Sequence, residues 1–195
     1  MTIKVIDNLL PEGYVDDIEY DITRTGFNWF YIKDCTSPFY GTNSGFVHPA
    51  FDHGKEPSDW FPFIKPLVYS IEEANGERIK QLFRIRVGLL LPTNEQNYNH
   101  NTPHVDFLWE HKTACFYPKG SDGDTVIFKQ RLEDVGTTNI DNEVLREYVD
   151  KTKFDVLESV TPVKNRLVIF DGLNFHSSTK PKLNDTRFVI TVNFI

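Results

Sequence analysis

Four residues of the kind that bind metals or move protons crowd the stretch NTPHVDFLWEH, residues 101–111: His104, Asp106, Glu110 and His111. In an extended chain, side chains two apart share a face, so His104 and Asp106 can enter one cavity while Val105 points away. Glu110 and His111 are expected to point elsewhere, off the metal, solvated or behind the ligands. A third ligand is available in FDGLNFHSST, where His176 follows the apolar run RLVIFDG. Two imidazoles and one carboxylate occupy one face of an octahedral Fe(II) and leave three positions open, which is what catalysis at a metal needs.

Eleven positions after His176, Arg187 opens the run RFVITVNFI. A guanidinium offers a planar fork of donors matched to a carboxylate, so it can anchor the far end of a dicarboxylate whose near end chelates the metal. 2-Oxoglutarate is such a compound. Tyr117, in KTACFYP, has a hydroxyl that could donate to the same carboxylate from a neighbouring strand.

Strands must carry these side chains, and the second half of the chain reads that way. From Gln81 onward, QLFRIRVGLLLP, HKTACFYP, DTVIFKQ, VLESVTPV, RLVIFDG and RFVITVNFI are rich in β-branched and aromatic residues. Turn formers such as KGSDGD, PVKN and KLND separate them. DNEVLREYVDKTK interrupts the series as a short helix or a charged excursion. The first half differs: IKVIDNLL predicts a short strand, and PEGYVDDIEYDITR a helix with Val15, Ile18 and Ile22 on one face. GFNWFYIK has strand character, and CTSPFYGTNSGFVHPAFDHG reads as a long loop. EPSDWFPFIKPLVYSIEEANGERIK is helical in its second half, with an irregular start at Pro62 and Pro66 and an end near Gly76. The pattern is that of an α+β, mainly β chain whose C-terminal half is a β-sandwich or barrel.

The ordered set HVD, TACFY before a Gly/Asp-rich hairpin, NRLVIFDG before a distal histidine, and TRFVITVNF with its arginine resembles the prolyl 4-hydroxylase-like Fe(II)/2-oxoglutarate dioxygenases. The resemblance runs over roughly residues 81–195. It implies a double-stranded β-helix (jelly-roll or cupin-like) core over 81–195, with residues 1–80 supplying supporting helices and strands packed on one sheet of a single domain. Carried over position by position, His104, Asp106 and His176 are the iron ligands and the catalytic centre. Arg187 is the 2-oxoglutarate anchor, with Tyr117 and Thr191 as polar companions. The implied reaction hydroxylates a C–H bond while 2-oxoglutarate is converted to succinate and carbon dioxide, with ascorbate as a possible reductant. Peptidyl proline leads among substrates by resemblance alone. A peptide, a protein or a small molecule remains open, as does monomer or dimer.

The chain departs from the pattern at two positions. Leu91 stands where oxygen-sensing prolyl hydroxylases carry a tyrosine, and Val189 stands two after Arg187 in place of a serine. Both bear on the prime substrate. Retention of Asp106 favours hydroxylation over halogenation, since related halogenases replace that carboxylate with a small residue. A catalytically silent β-helix that uses its metal structurally, or as a sensor, is the other reading; it would need no dicarboxylate anchor such as Arg187.

Other residues carry plainer readings. Arg84 and Arg86 alternate in FRIRVG, either facing the cavity mouth or lying on the outer face of a strand. His48, His53 and His100 fall in polar loops, and Asp171 reads as a turn former. Trp29, Phe30, Tyr31, Phe39 and Tyr40 either line a substrate groove or cover the barrel, and the segment from Cys35 to Gly54 is the expected substrate lid. With 195 residues and a net charge of −7, the chain predicts one domain and argues against general nucleic-acid or anionic-membrane binding. No run approaches the roughly 20 apolar residues of a membrane span. Two cysteines, Cys35 and Cys115, do not make a disulfide scaffold, and a cytoplasmic setting is the simplest expectation.

Overall fold

The computed structural model describes residues 2–34, 44–92, 99–184 and 186–195. Within these residues, ten strands form two antiparallel sheets. The larger runs in the order β1 (Lys4–Asp7), β8 (Arg166–Asp171), β5 (Lys112–Tyr117), β10 (Arg187–Phe194), β4 (Leu82–Leu90), β3 (Gly45–Asp52) and β2 (Phe30–Ile32). The smaller has β6 (Thr125–Arg131) between β7 (Val156–Val160) and β9 (Asn174–Ser178). Residues 101–104 extend the small sheet along β9. Asn101 N–H donates to the Ser178 carbonyl at 2.8 Å, and His104 and His176 exchange both backbone bonds at 2.9 Å. The two sheets stacked face to face make a double-stranded β-helix, and β1, β2 and β3 widen its larger sheet.

Period-two alternation in the large sheet separates two functions. Ile85, Val87, Ala114, Phe116, Leu167, Ile169, Phe188, Ile190, Val192 and Phe194 turn outward. They bury against α1 (Glu12–Thr23) and α2 (Phe61–Asn75) through Val15, Ile18, Ile22, Ile64, Leu67 and Ile71. The expected face of the first helix is thus its buried face. The opposite phase of the sheet faces inward and carries most of the polar groups: Arg84 and Arg86 on β4, Thr113 and Cys115 on β5, Arg187, Thr191 and Asn193 on β10. Register places Arg84, Asn193, Thr113 and Phe170 in one row across four strands, and Arg86, Thr191, Cys115 and Val168 in the next. On the small sheet, Val126, Phe128 and Phe175 face out under α3 (Asn142–Lys151), which rests Leu145, Tyr148 and Val149 on them. The stretch left open between helix and charged excursion is therefore a helix, anchored by its apolar face and N-capped by Asp141, whose side chain accepts from Val144 N–H at 2.9 Å.

Two local expectations are corrected. The long loop gives way at residue 45, where β3 pairs with β4 over most of its length. Pro49 is tolerated because β2 pairs only with residues 45–47 and a register shift follows between Pro49 and Phe51. The second helix begins at Phe61, with Pro62 in its first turn, where a missing N–H costs nothing. The polar stretch NFHSS is a full strand, β9, because β6 and residues 101–104 satisfy its backbone on both sides. The first part of the expected lid, residues 35–43, lies outside the described residues and with it Cys35, Phe39 and Tyr40.

The turn from β8 to β9 sets the position of His176. Asp171 is the expected turn former: its carboxylate accepts from Leu173 N–H at 3.0 Å and pairs with Arg131. Gly172 N–H donates to the His111 carbonyl at 2.8 Å, and a Cβ at this glycine would overlap the His111 ring. Overpacking of this kind costs roughly 1–3 kcal/mol. Gly172→Ala is expected to lose that much stability in denaturant unfolding. In a His111→Ala background the same change should cost under about 0.5 kcal/mol, because the clashing ring is gone. Equal costs in both backgrounds would show that the ring does not set the turn.

Candidate active site

His104, Asp106 and His176 converge between the two sheets, with one potential ligand atom of each within 4.8 Å of the others. They are the only such cluster of three among the described residues. The expected strand through HVD is reduced to a single bridge at His104, yet the alternation still operates. His104 and Asp106 line the cavity, and Val105 packs outward beside Phe128 and Phe175.

Both imidazoles are fixed in the same way. His104 Nδ1 lies 3.2 Å from the Thr102 carbonyl, and His176 Nδ1 lies 3.2 Å from the Asn174 carbonyl. A carbonyl only accepts, so each Nδ1 carries the proton and each Nε2 keeps a lone pair for a ligand. Burial drives both rings to the neutral form: His104 is held down to about 3, and the pKa of His176 is also lowered, with Asp106 opposing.

Asp106 is buried with its ion-pairing groups around it. Burial by itself opposes ionisation, but the Arg84 guanidinium and the neighbouring His176, His104 and Arg86 hold the carboxyl well below the usual range. Arg84 Nη2 pairs with Oδ1. Asn193 Nδ2 donates to Oδ2 at 2.8 Å, and Oδ2 lies 3.7 Å from His176 Nε2. The donor set is therefore two neutral nitrogens and one anionic oxygen.

The cavity continues along the inner face of the large sheet, past Arg86, Cys115 and Thr191, to Arg187. Arg187 is 3 % exposed, and its stem passes so close to Gly123 that a Cβ there would lie 2.8 Å from Arg187 Cδ. Arg187 Nε donates to the Gly123 carbonyl at 2.6 Å, and Nη2 donates to Thr125 Oγ1 at 2.7 Å. Nη1 makes no hydrogen bond among the described residues. Tyr117 stands one layer behind: it is fully buried, does not line the cavity, and its hydroxyl donates to Thr125 Oγ1 at 2.7 Å. Thr125 thus accepts from both Tyr117 and Arg187, which leaves its own proton to donate into the cavity.

Thr125 is the residue that sequence reasoning did not single out. It opens the run TVIFKQ, where a threonine is an ordinary strand former, and nothing local marks it as facing Arg187. Of the two readings of Arg84 and Arg86, the inward one holds: Arg84 grips Asp106, and Arg86 lines the cavity. His111 is buried and donates from Nδ1 to the Trp109 carbonyl at 2.7 Å, its Nε2 making no hydrogen bond; with the exposed Glu110 it lies outside the cluster. His48 is no loop residue: it is buried in β3, bonded to the Asn28 carbonyl and Ser58 Oγ at 2.8 Å each. His53 and His100 also fall outside the cluster. Leu91 is half exposed just past β4 and does not line the cavity, whereas Val189 does. Trp29 packs against Phe27 and Phe188 on the helix side of the large sheet, so it covers the barrel. Phe30 and Tyr31 are exposed on β2. No helix among the described residues is long and apolar enough to cross a membrane.

No protein-family model and no curated protein sequence matches the chain. Solved structures do. The non-heme alpha-ketoglutarate-dependent epimerase SnoN of nogalamycin biosynthesis shares 14 % identity at a TM-score of 0.66, over 99 % of this chain and 76 % of that one. A prolyl-4-hydroxylase from Pseudomonas putida shares 13 % at 0.56, over 98 % and 91 %. HygX from Streptomyces hygroscopicus, crystallised with nickel and 2-oxoglutarate, shares 11 % at 0.58, over 98 % and 82 %. At these identities the similarity is one of fold: the chain has the double-stranded β-helix that those proteins use.

Proposed function

We propose that the chain is an Fe(II)- and 2-oxoglutarate-dependent dioxygenase that hydroxylates a C–H bond. The observation that carries the reading is the placement of His104, Asp106 and His176 in one cavity with Arg187 at its far end. The donor set fits the metal. Two neutral imidazoles and a carboxylate suit Fe(II), and no fourth protein ligand closes the shell among the described residues. A structural zinc site would be closed by four. When bound, Fe(II) would activate dioxygen, which is the oxidant: one oxygen atom would go to 2-oxoglutarate as it becomes succinate and carbon dioxide, and the other to the substrate C–H bond.

The protein's part is to bind and orient. The backbone carbonyls of Thr102 and Asn174 fix which nitrogen each histidine presents. The distal carboxylate of 2-oxoglutarate is received by Arg187 Nη1 and the Thr125 hydroxyl, with Tyr117 acting through Thr125 and Thr191 lining the path between the two ends. Cys115 lines the same path as a neutral thiol, its pKa pushed by burial up to about 12. The prime substrate is an amino-acid side chain, with peptidyl proline first. The prolyl hydroxylase among the similar structures supports that choice, and an alpha-ketoglutarate-dependent epimerase stands beside it among them.

Purified protein with Fe(II) and ascorbate is expected to convert 2-oxoglutarate to succinate, slowly by itself and faster with substrate found on a peptide array. Absence of any turnover, coupled or uncoupled, would overturn the reading. His104→Ala, Asp106→Ala and His176→Ala should each abolish stoichiometric metal binding in metal analysis.

The anchor is tested separately. Losing a charge-assisted hydrogen bond worth about 1.5–3 kcal/mol corresponds to roughly 10- to 150-fold in affinity. Arg187→Ala should raise the 2-oxoglutarate concentration for half-maximal turnover by at least that factor. Thr125→Val, which removes a direct donor, should raise it more than Tyr117→Phe, which removes a supporting one. The reverse order would place the tyrosine in direct contact.

A further inference from the structure

The two oxygens of Asp106 are not equivalent. Oδ2 faces His176 Nε2 at 3.7 Å, toward the point where the three candidate ligands converge. Oδ1 is ion-paired to Arg84 Nη2, with the two side chains 19 % and 5 % exposed. Arg84 is itself held in place: Nε donates to Asn193 Oδ1 at 3.1 Å, and Cζ sits 4.9 Å above the Phe107 ring. Asn193 completes the ring by donating from Nδ2 to Asp106 Oδ2 at 2.8 Å and to Thr113 Oγ1 at 3.1 Å. Arg84, Asn193 and Thr113 share one cross-strand row, so the clamp is built into the sheet register.

A carboxylate can bind a metal through one oxygen or both. With His104 and His176 taking two of six octahedral positions, a one-oxygen Asp106 leaves three open and a two-oxygen Asp106 leaves two. A 2-oxo acid that chelates through its keto and carboxylate oxygens needs two positions, and dioxygen needs another. Stability alone gives weak reason for this pair, since a buried ion pair often contributes no more than an apolar one of similar volume.

We infer that Arg84 is a positioning residue that reserves a coordination position, by occupying Asp106 Oδ1 and confining the metal to Oδ2. The inference rests on the iron and 2-oxoglutarate reading above. Asn193 supports the arrangement by orienting both partners. Met or Leu at position 84 frees Oδ1 to chelate, which leaves the metal bound and two positions for the 2-oxo acid but takes the third position, the one that dioxygen requires.

The test uses the full chain with Co(II), whose visible absorption reports coordination number, titration calorimetry of 2-oxoglutarate into the Co(II)-loaded protein, and azide as a probe of the position left once 2-oxoglutarate is bound. Arg84→Met is expected to keep Co(II) and 2-oxoglutarate affinity within about threefold of the parent, to change the Co(II) spectrum, and to weaken azide binding to the 2-oxoglutarate-bound protein at least tenfold. Arg84→Leu, a second apolar variant if Met does not fold, should behave the same way. Arg84→Lys, which restores a cationic donor, should recover most of the loss. A folded Met or Leu variant whose 2-oxoglutarate-bound form takes azide like the parent overturns the inference. So does one that loses Co(II) and 2-oxoglutarate together, since Arg84 would then be a strut for the whole site. A parent protein that binds neither Co(II) nor 2-oxoglutarate removes the oxygenase reading itself, which separates that failure from the failure of the Arg84 role.

Discussion

A carboxylate buried between two sheets stays ionised only if fixed partners compensate it, and the surroundings of Asp106 supply them. Removing the group from water disfavours its charge by several kcal/mol, so compensation has to come from fixed partners. Arg84 supplies the opposite charge, and Asn193 and Thr113 fill out the polar shell. These three residues lie on three adjacent strands, β4, β10 and β5, in one cross-strand row. A one-residue slip of any of these strands would send its partner to the helix-covered face and leave the carboxylate uncompensated. The site therefore depends on register, and register depends on the apolar face that α1 and α2 cover.

The same sheet keeps two chemistries apart. Its outer phase is almost wholly aliphatic and aromatic, which fixes the helices and leaves no choice about which side faces inward. Its inner phase can then carry three arginines, two threonines, a cysteine and an asparagine within one domain interior, because each is satisfied by another strand or lines the cavity. Arg187 shows how tight this is. Its side chain runs against the Gly123 backbone, and two of its three nitrogens are committed to protein acceptors before any ligand arrives. A guanidinium held in this way would lose little freedom on binding a carboxylate, which suits Arg187 to the anchor role proposed for it.

Much of this was legible in the chain. Runs rich in β-branched and aromatic residues marked β4, β5, β6, β7, β8 and β10, and a 3.6-residue pattern marked α1, since such local signals survive whatever the tertiary partners are. The HVD stretch announced its two inward residues even though only one bridge of strand forms there. What resisted reading were elements stabilised from outside. β3 contains a proline and reads as loop until β4 lies beside it, and β9, with Phe175 as its one apolar residue, is short and mostly polar and pairs with β6 and residues 101–104. Thr125 could not be told from any strand threonine.

The residue types and their alternation determined, by themselves, the mainly β class, the inward pair His104 and Asp106, and the availability of His176 and Arg187. Local spacing encodes which side of a strand a residue occupies, and those conclusions need nothing more. Only the tertiary structure decided which inward residues meet. Arg84 reaches Asp106 across 22 positions of sequence, Thr125 reaches Arg187 across 62, and Asn193 reaches Asp106 across 87. Those pairings follow from strand order and register, which are settled by packing of the whole sheet against its helices and are not written in any local window. For the same reason Arg84 and Arg86 could be read either way from the sequence, and Tyr117 was expected one layer too far forward.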